Sequence, residues 1–142
     1  MLNNKKVTES KRIHAPAEAV WRALTDKKLI KQYFFGTEAE SEWKKGSPIT
    51  FTGEWEGQEY VDKGTIREID NEKLLSFDYW SSMSGLVDKP ENYATVTYEM
   101  ESGNGQTELT VTQEGFKDEE AYEHSASGWQ EVLKNLKALV EK

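Results

Sequence analysis

The stretch from Asp118 to Lys142 constrains this chain more than any other. It contains no Pro, and its large apolar residues fall at Tyr122, Trp129, Val132, Leu133, Leu136, Leu139 and Val140. From Trp129 onward they recur at steps of three, four, seven, ten and eleven, which is one face of an α-helix. Asp118 can cap the start, and Glu119 and Glu120 suit the positive end of the helix dipole. Lys134, Lys137 and Lys142 lie toward the negative end. About 24 residues at ~1.5 Å each make a rod of roughly 36 Å, enough to cross a small domain. A helix with one apolar stripe cannot hide it alone, so it needs a wide apolar surface to lie on. Between Tyr122 and Trp129 the stripe shrinks to Ser125 and Ala126, with Gly128 beside them. Gly in a helix interior costs about 1 kcal/mol relative to Ala. Small residues there imply either close approach of a strand or a bend, or one wall of a cavity.

The preceding residues supply such a surface. Lys5 to His14 reads as a polar strand suited to an edge. Pro16 opens a helix over Ala17–Leu24, with Val20, Trp21 and Leu24 on one face. Thr25-Asp26 breaks it and caps a second helix, Lys27–Tyr33. After Gly36 the period changes to two. Thr37–Trp43 is a short strand. In Ser47–Glu56, Ile49, Phe51, Gly53 and Trp55 alternate with polar residues, so one face is buried. Glu59–Ile69 continues the sheet, and Gly64 within it predicts a bulge or strong bend. Leu74–Trp80 carries Leu75, Phe77 and Tyr79 on one face and Leu74, Ser76, Asp78 and Trp80 on the other. Either set can face inward, because a one-residue slip exchanges them. Ser81–Glu91 is a loop, and strands follow at Asn92–Glu101 and Gln106–Gly115. Strands joined by short turns are antiparallel, and strands grouped apart from helices give an α+β domain.

Residues 1–142 are read as one domain, long enough for a real core. The formal charge of −8 opposes non-specific nucleic-acid binding and docking on anionic membranes. There is no Cys, hence no disulfide, thiolate nucleophile or Cys-based zinc site. No apolar run is long enough to span a bilayer, and a cytoplasmic protein is the default expectation.

The run Ile13–Asp26 (IHAPAEAVWRALTD), followed by Leu29–Phe34 (LIKQYF), resembles the opening of START-like (SRPBCC, Bet v 1-like) domains. More narrowly, it is similar to the bacterial single-domain relatives of the C-terminal domain of the Hsp90 ATPase activator (AHSA1-like). Gly64–Asp70 (GTIREID), Lys73–Leu75, Thr107–Phe116 (TELTVTQEGF) and Gly128-Trp129 with Leu133 continue the resemblance in order along nearly the whole chain. Tyr33 departs from it, since many relatives carry Trp there, and the loop after Trp80 has no match. The resemblance implies a helix-grip fold: a curved seven-stranded antiparallel sheet around the long C-terminal helix, with two short helices after the first strand. It further implies either an apolar ligand, as in the broader superfamily, or contact with a chaperone, as in the activator branch. Membership of such a family settles fold far better than activity.

Candidate chemistry is sparse. His14 and His124 share no spacing with a carboxylate pair, and surface positions are expected for both. A metal site would need a third ligand that no motif supplies, and no cofactor is expected. Glu119, Glu120 and Glu123 read as a solvated helix start. Asp62 and Asp78 sit in strands, and alternation favours solvent for both; an inward Asp or His could serve as a general acid or base in a cyclase- or hydrolase-like enzyme. No phosphate loop or nucleophile elbow is present. The aromatic set remains. Phe51, Trp55, Phe77, Tyr79, Tyr98, Tyr122 and Trp129, with Ser125, either line a cavity for a small apolar ligand or pack into a solid core. The small residues of the last helix favour the cavity. The loop Ser81–Glu91 and the second short helix, with Phe34 and Phe35, would then be its lids. Binding of an apolar molecule without chemistry is therefore the first expectation. A chaperone-ATPase modulator and an enzyme are the alternatives.

Overall fold

The structure, a computed structural model, describes residues 2–142, with the Trp55 side chain outside that description. Strand β1 (Lys6–Ile13) leads into two short helices, α1 (Ala17–Thr25) and α2 (Lys27–Tyr33). The strands β2 (Glu38–Ser41), β3 (Pro48–Trp55), β4 (Gln58–Asp70), β5 (Leu74–Ser81), β6 (Ala94–Gly103) and β7 (Gln106–Glu114) follow. A short 3-10 helix, Pro90–Asn92, lies in the β5–β6 connection, and the long helix α3 (Glu119–Val140) comes last. The strands form one seven-stranded sheet in the order β1-β7-β6-β5-β4-β3-β2. All neighbours are antiparallel. This is the helix-grip α+β arrangement.

Local chemistry accounts for the element ends. The Asp118 carboxylate accepts from the Ala121 backbone N–H at 2.8 Å and so caps α3. Asp26 does the same for α2 through Lys28 N–H, also at 2.8 Å. The stripe of α3 buries Trp129, Val132, Leu133 and Leu136. Each such side chain contributes about 1.5–3 kcal/mol on leaving water. Tyr33 is 3% exposed and donates its hydroxyl to the Ala23 carbonyl at 2.8 Å, which ties α2 to α1. Strand β1 lies at one sheet edge; Thr8, Ser10 and Arg12 face outward, while Glu9 and Lys11 are half-buried on the face of Val7 and Ile13, and charges so placed guard against edge-to-edge pairing.

The centre of the sheet shows why β4 needs its glycine. A Cβ on Gly64 would stand 1.7 Å from the Asp78 carbonyl oxygen, so the two backbones approach too closely for any side chain there. The ladder itself shifts register between Ile66 and Glu68. Asp78 closes the gap from the outer face. Its Oδ1 accepts from Thr65 N–H at 2.7 Å, and its Oδ2 from Arg67 Nε at 2.9 Å. With Asp78 so placed, Leu75 and Phe77 are buried on the inner face, and the phase of β5 is settled. No helix among the described residues is long and apolar enough to cross a membrane.

Candidate functional site

Between the inner face of the sheet and α3 lies a cavity of about 310 Å³. The sheet contributes Phe51, Phe77, Tyr79 and Tyr98; α3 contributes Ser125, Gly128, Trp129 and Val132. The end of α2 and the turn after it bring Tyr33, Phe34 and Phe35. Five rings close a circuit. Phe34 stacks on Phe51 at 6.3 Å between centroids, and Phe51 meets Phe77 at 5.8 Å. Phe77 meets Tyr98 at 6.4 Å, and Tyr98 stands edge-on to Trp129 at 5.9 Å. Trp129 returns edge-on to Phe34 at 6.1 Å. Stacked, tilted and edge-on contacts at these distances are the favoured geometries of aromatic pairs and hold the rings in place.

Of the small residues of α3, Ser125 and Gly128 lie on this space, while Ala126 packs against the core instead. A Cβ on Gly128 would meet nothing within 4 Å, so no strand presses against the helix there. Ser125 Oγ donates to Gln113 Oε1 at 2.9 Å, and Trp129 Nε1 donates to the same oxygen at 2.8 Å. Gln113 therefore sets the indole plane from the end of β7. Nothing singled it out in the sequence, although it continues the inward alternation of Leu109 and Val111.

Phe51, Phe77, Tyr79, Tyr98, Ser125 and Trp129 meet at the cavity as a group. Tyr122 does not join them. Its ring packs edge-on against Phe116 at 5.5 Å, with Lys5 Nζ 5.0 Å above it. The first turn of α3 lies beside the β7–α3 link, so the helical stripe continues past the cavity there. The Trp55 side chain lies outside the described residues.

Asp62 corrects a second expectation, since it faces the cavity rather than solvent. It shares the inner face of β4 with Tyr60 and Ile66, and counting by twos back from buried Ile66 reaches it. Tyr79 donates its hydroxyl to Asp62 Oδ2. Oδ1 of the same carboxylate is buried with no hydrogen-bond partner among the described residues. Burial pushes the Asp62 pKa up, while the hydroxyls of Ser81 and Tyr79 pull against that shift. Burial also raises the Tyr79 phenol well above its usual value, with the Asp62 charge adding to the effect. Nearby, Thr37 Oγ1 and the Tyr60 hydroxyl share a hydrogen bond of 2.6 Å.

Asp62 and Glu54 are the only charged residues among the described lining, which includes no Lys, Arg or His. At the mouth, Phe35 is 54% exposed and Met83 44%. Phe35 holds φ +55° in the left-handed region, a strained state for an aromatic residue. The loop Ser81–Glu91 thus reaches the mouth through Ser81 and Met83. A second, more open cleft of about 490 Å³ shares Tyr79, Ser81, Met83, Gln113 and Ser125 with the cavity. His124 lies on that cleft and is exposed; His14 is exposed at the end of β1. Asp78 is committed to Thr65 and Arg67. Among the described residues no group of three or more His, Asp or Glu is placed to hold a metal.

The family model described as Activator of Hsp90 ATPase homolog 1-like protein matches residues 14–141. No curated protein matches the chain. The solution structure of ChR145 from Cytophaga hutchinsonii is 37% identical, with 98% of this chain and 96% of that one covered and a TM-score of 0.83. Protein MLL2253 from Mesorhizobium loti is 23% identical, covering 96% of each chain, with a TM-score of 0.80. CalU16 from Micromonospora echinospora is 16% identical, covering 98% of this chain and 83% of that one, with a TM-score of 0.73. The last two likenesses are of fold alone.

Proposed function

The chain belongs to the Activator of Hsp90 ATPase homolog 1-like family, and within it we propose that this member is a binding module, which takes up a small apolar molecule between the sheet and α3 and does no chemistry on it. The observation that carries this reading is the open space beside Gly128, ringed by Phe34, Phe51, Phe77, Tyr98 and Trp129. An apolar pocket with few polar groups is what a hydrophobic ligand requires. Asp62, which faces that space, is read here as the polar anchor of the ligand; the same inward carboxyl is what the cyclase- or hydrolase-like alternative requires. Native mass spectrometry of the purified protein with a library of small hydrophobic compounds tests the proposal. Retained compounds that also raise the melting temperature are expected. A library that leaves both mass and melting temperature unchanged contradicts it.

The family description itself supports a second reading, contact with a chaperone ATPase. Its test is ATP turnover of an Hsp90-type chaperone with and without this protein. A changed rate and co-elution on sizing support it; an unchanged rate with no complex removes it.

A further inference from the structure

We propose that the cavity selects apolar ligands ending in a hydrogen-bond donor, a hydroxyl or a protonated amine, with Asp62 Oδ1 as acceptor, and rejects ligands ending in a carboxylate or phosphate. This deepens the binding role argued above and rests on it.

The inference starts from an unbalanced carboxylate. A carboxylate accepts through two oxygens and donates through neither. Tyr79 satisfies Oδ2, and its single hydroxyl proton is spent in doing so. Ser81, opposite Asp62 in the β4–β5 ladder, lies close enough to hold the acid's pKa down, yet its hydroxyl, which accepts from Met83 N–H at 3.2 Å, makes no hydrogen bond to Oδ1. Oδ1 is buried and unpartnered among the described residues. A buried polar atom left unpaired is costly, so a ligand group that pairs with it gains more than a surface hydrogen bond would give. Only a donor can do this. Lys63, the next residue, does not reach inward: its Nζ pairs with Asp88 Oδ2 at 2.6 Å.

Charge sharpens the choice. Asp62 and Glu54 are both acidic, and the described lining offers no cation to meet an anionic head group. A carboxylate or phosphate entering this low-dielectric space would face like charge without compensation.

A matched series decides it: 2-methylnaphthalene, 2-naphthylmethanol, 2-naphthylmethylamine and 2-naphthoate, titrated against wild type, Asp62→Leu and Asp62→Asn. In wild type the amine is expected to bind more tightly than the naphthoate by about tenfold or more. Asp62→Leu should weaken the alcohol and the amine by a similar factor and leave the hydrocarbon no weaker. Asp62→Asn, which keeps an acceptor oxygen and the shape of the side chain, should weaken the amine and spare the alcohol; it carries the test alone if Asp62→Leu does not fold. Binding of the hydrocarbon together with equal affinity for amine and naphthoate, or with no response to either substitution, overturns the proposed selectivity while leaving the cavity a binding site. Failure of all four compounds to bind wild type removes both.

Discussion

The Tyr79 hydroxyl donates a hydrogen bond to one oxygen of the Asp62 carboxylate, and the other oxygen is buried without a partner among the described residues. The pair comes from neighbouring strands, β4 and β5, and faces a space walled mainly by rings. Its consequences for stability can be separated from its role toward a ligand.

Burial raises the Asp62 pKa above its ordinary 3.8. A raised acid holds its proton more tightly in the fold than in the unfolded chain. Its stabilising contribution is therefore complete below the unfolded value and is lost as pH rises through the folded one. Asp62→Asn removes that loss while keeping an acceptor for Tyr79. The variant should melt higher than wild type at neutral pH, and the difference should shrink as pH falls toward 3.8. Thermal melts of both proteins across that range check this; parallel curves would show that the carboxyl is not desolvated.

Gly128→Ala should stabilise the protein by up to about 1 kcal/mol, through helix propensity alone. The added methyl would meet no atom within 4 Å. Chemical denaturation measures the change, and a destabilised variant would mean that the space beside the helix is already filled.

Two deletions in the interior should differ in an unusual direction. Leu136 is fully buried, and Leu136→Ala should cost about 2–5 kcal/mol. Phe51 has a larger ring, but it lines the cavity and is only partly buried. Phe51→Ala should cost less than Leu136→Ala, because one side of the ring has no packing to lose. Denaturant midpoints of the two variants give the comparison, and a larger loss at Phe51 counts against an open interior.

Gln113→Leu strips the shared acceptor from Ser125 Oγ and Trp129 Nε1. Leaving partly buried donors unpaired should cost about 1–3 kcal/mol and move the Trp129 indole N–H resonance. An unmoved resonance would mean that the indole is oriented by packing alone.

Much of this architecture is legible in the sequence, and the exceptions depend on how separate elements meet. The stripe from Trp129 to Leu136 and the alternation through Ile49 and Phe51 are local patterns, set by helix and strand periods. The outward expectation for Asp62 fails at alternation itself: Asp62, Gly64 and Ile66 share one face of β4, but the glycine between them carries no side chain to mark it. The phase of Asp62 along β4 also depends on a bend at Gly64 that brings the strand against Asp78. Tyr122 shares the helical face of Ser125 and Trp129, but the helix period does not say where the sheet beneath it ends. Gln113 acts through two residues of another element, Ser125 and Trp129. Such a link depends on how β7 and α3 lie together, which neither segment encodes alone.

Xenon tests the interior most directly, since it enters apolar cavities and needs no chemical recognition. A crystal of the protein pressurised with xenon should show the gas between Phe34, Phe51, Gly128 and Trp129. Side chains occupying that volume, with no xenon bound, would contradict the account.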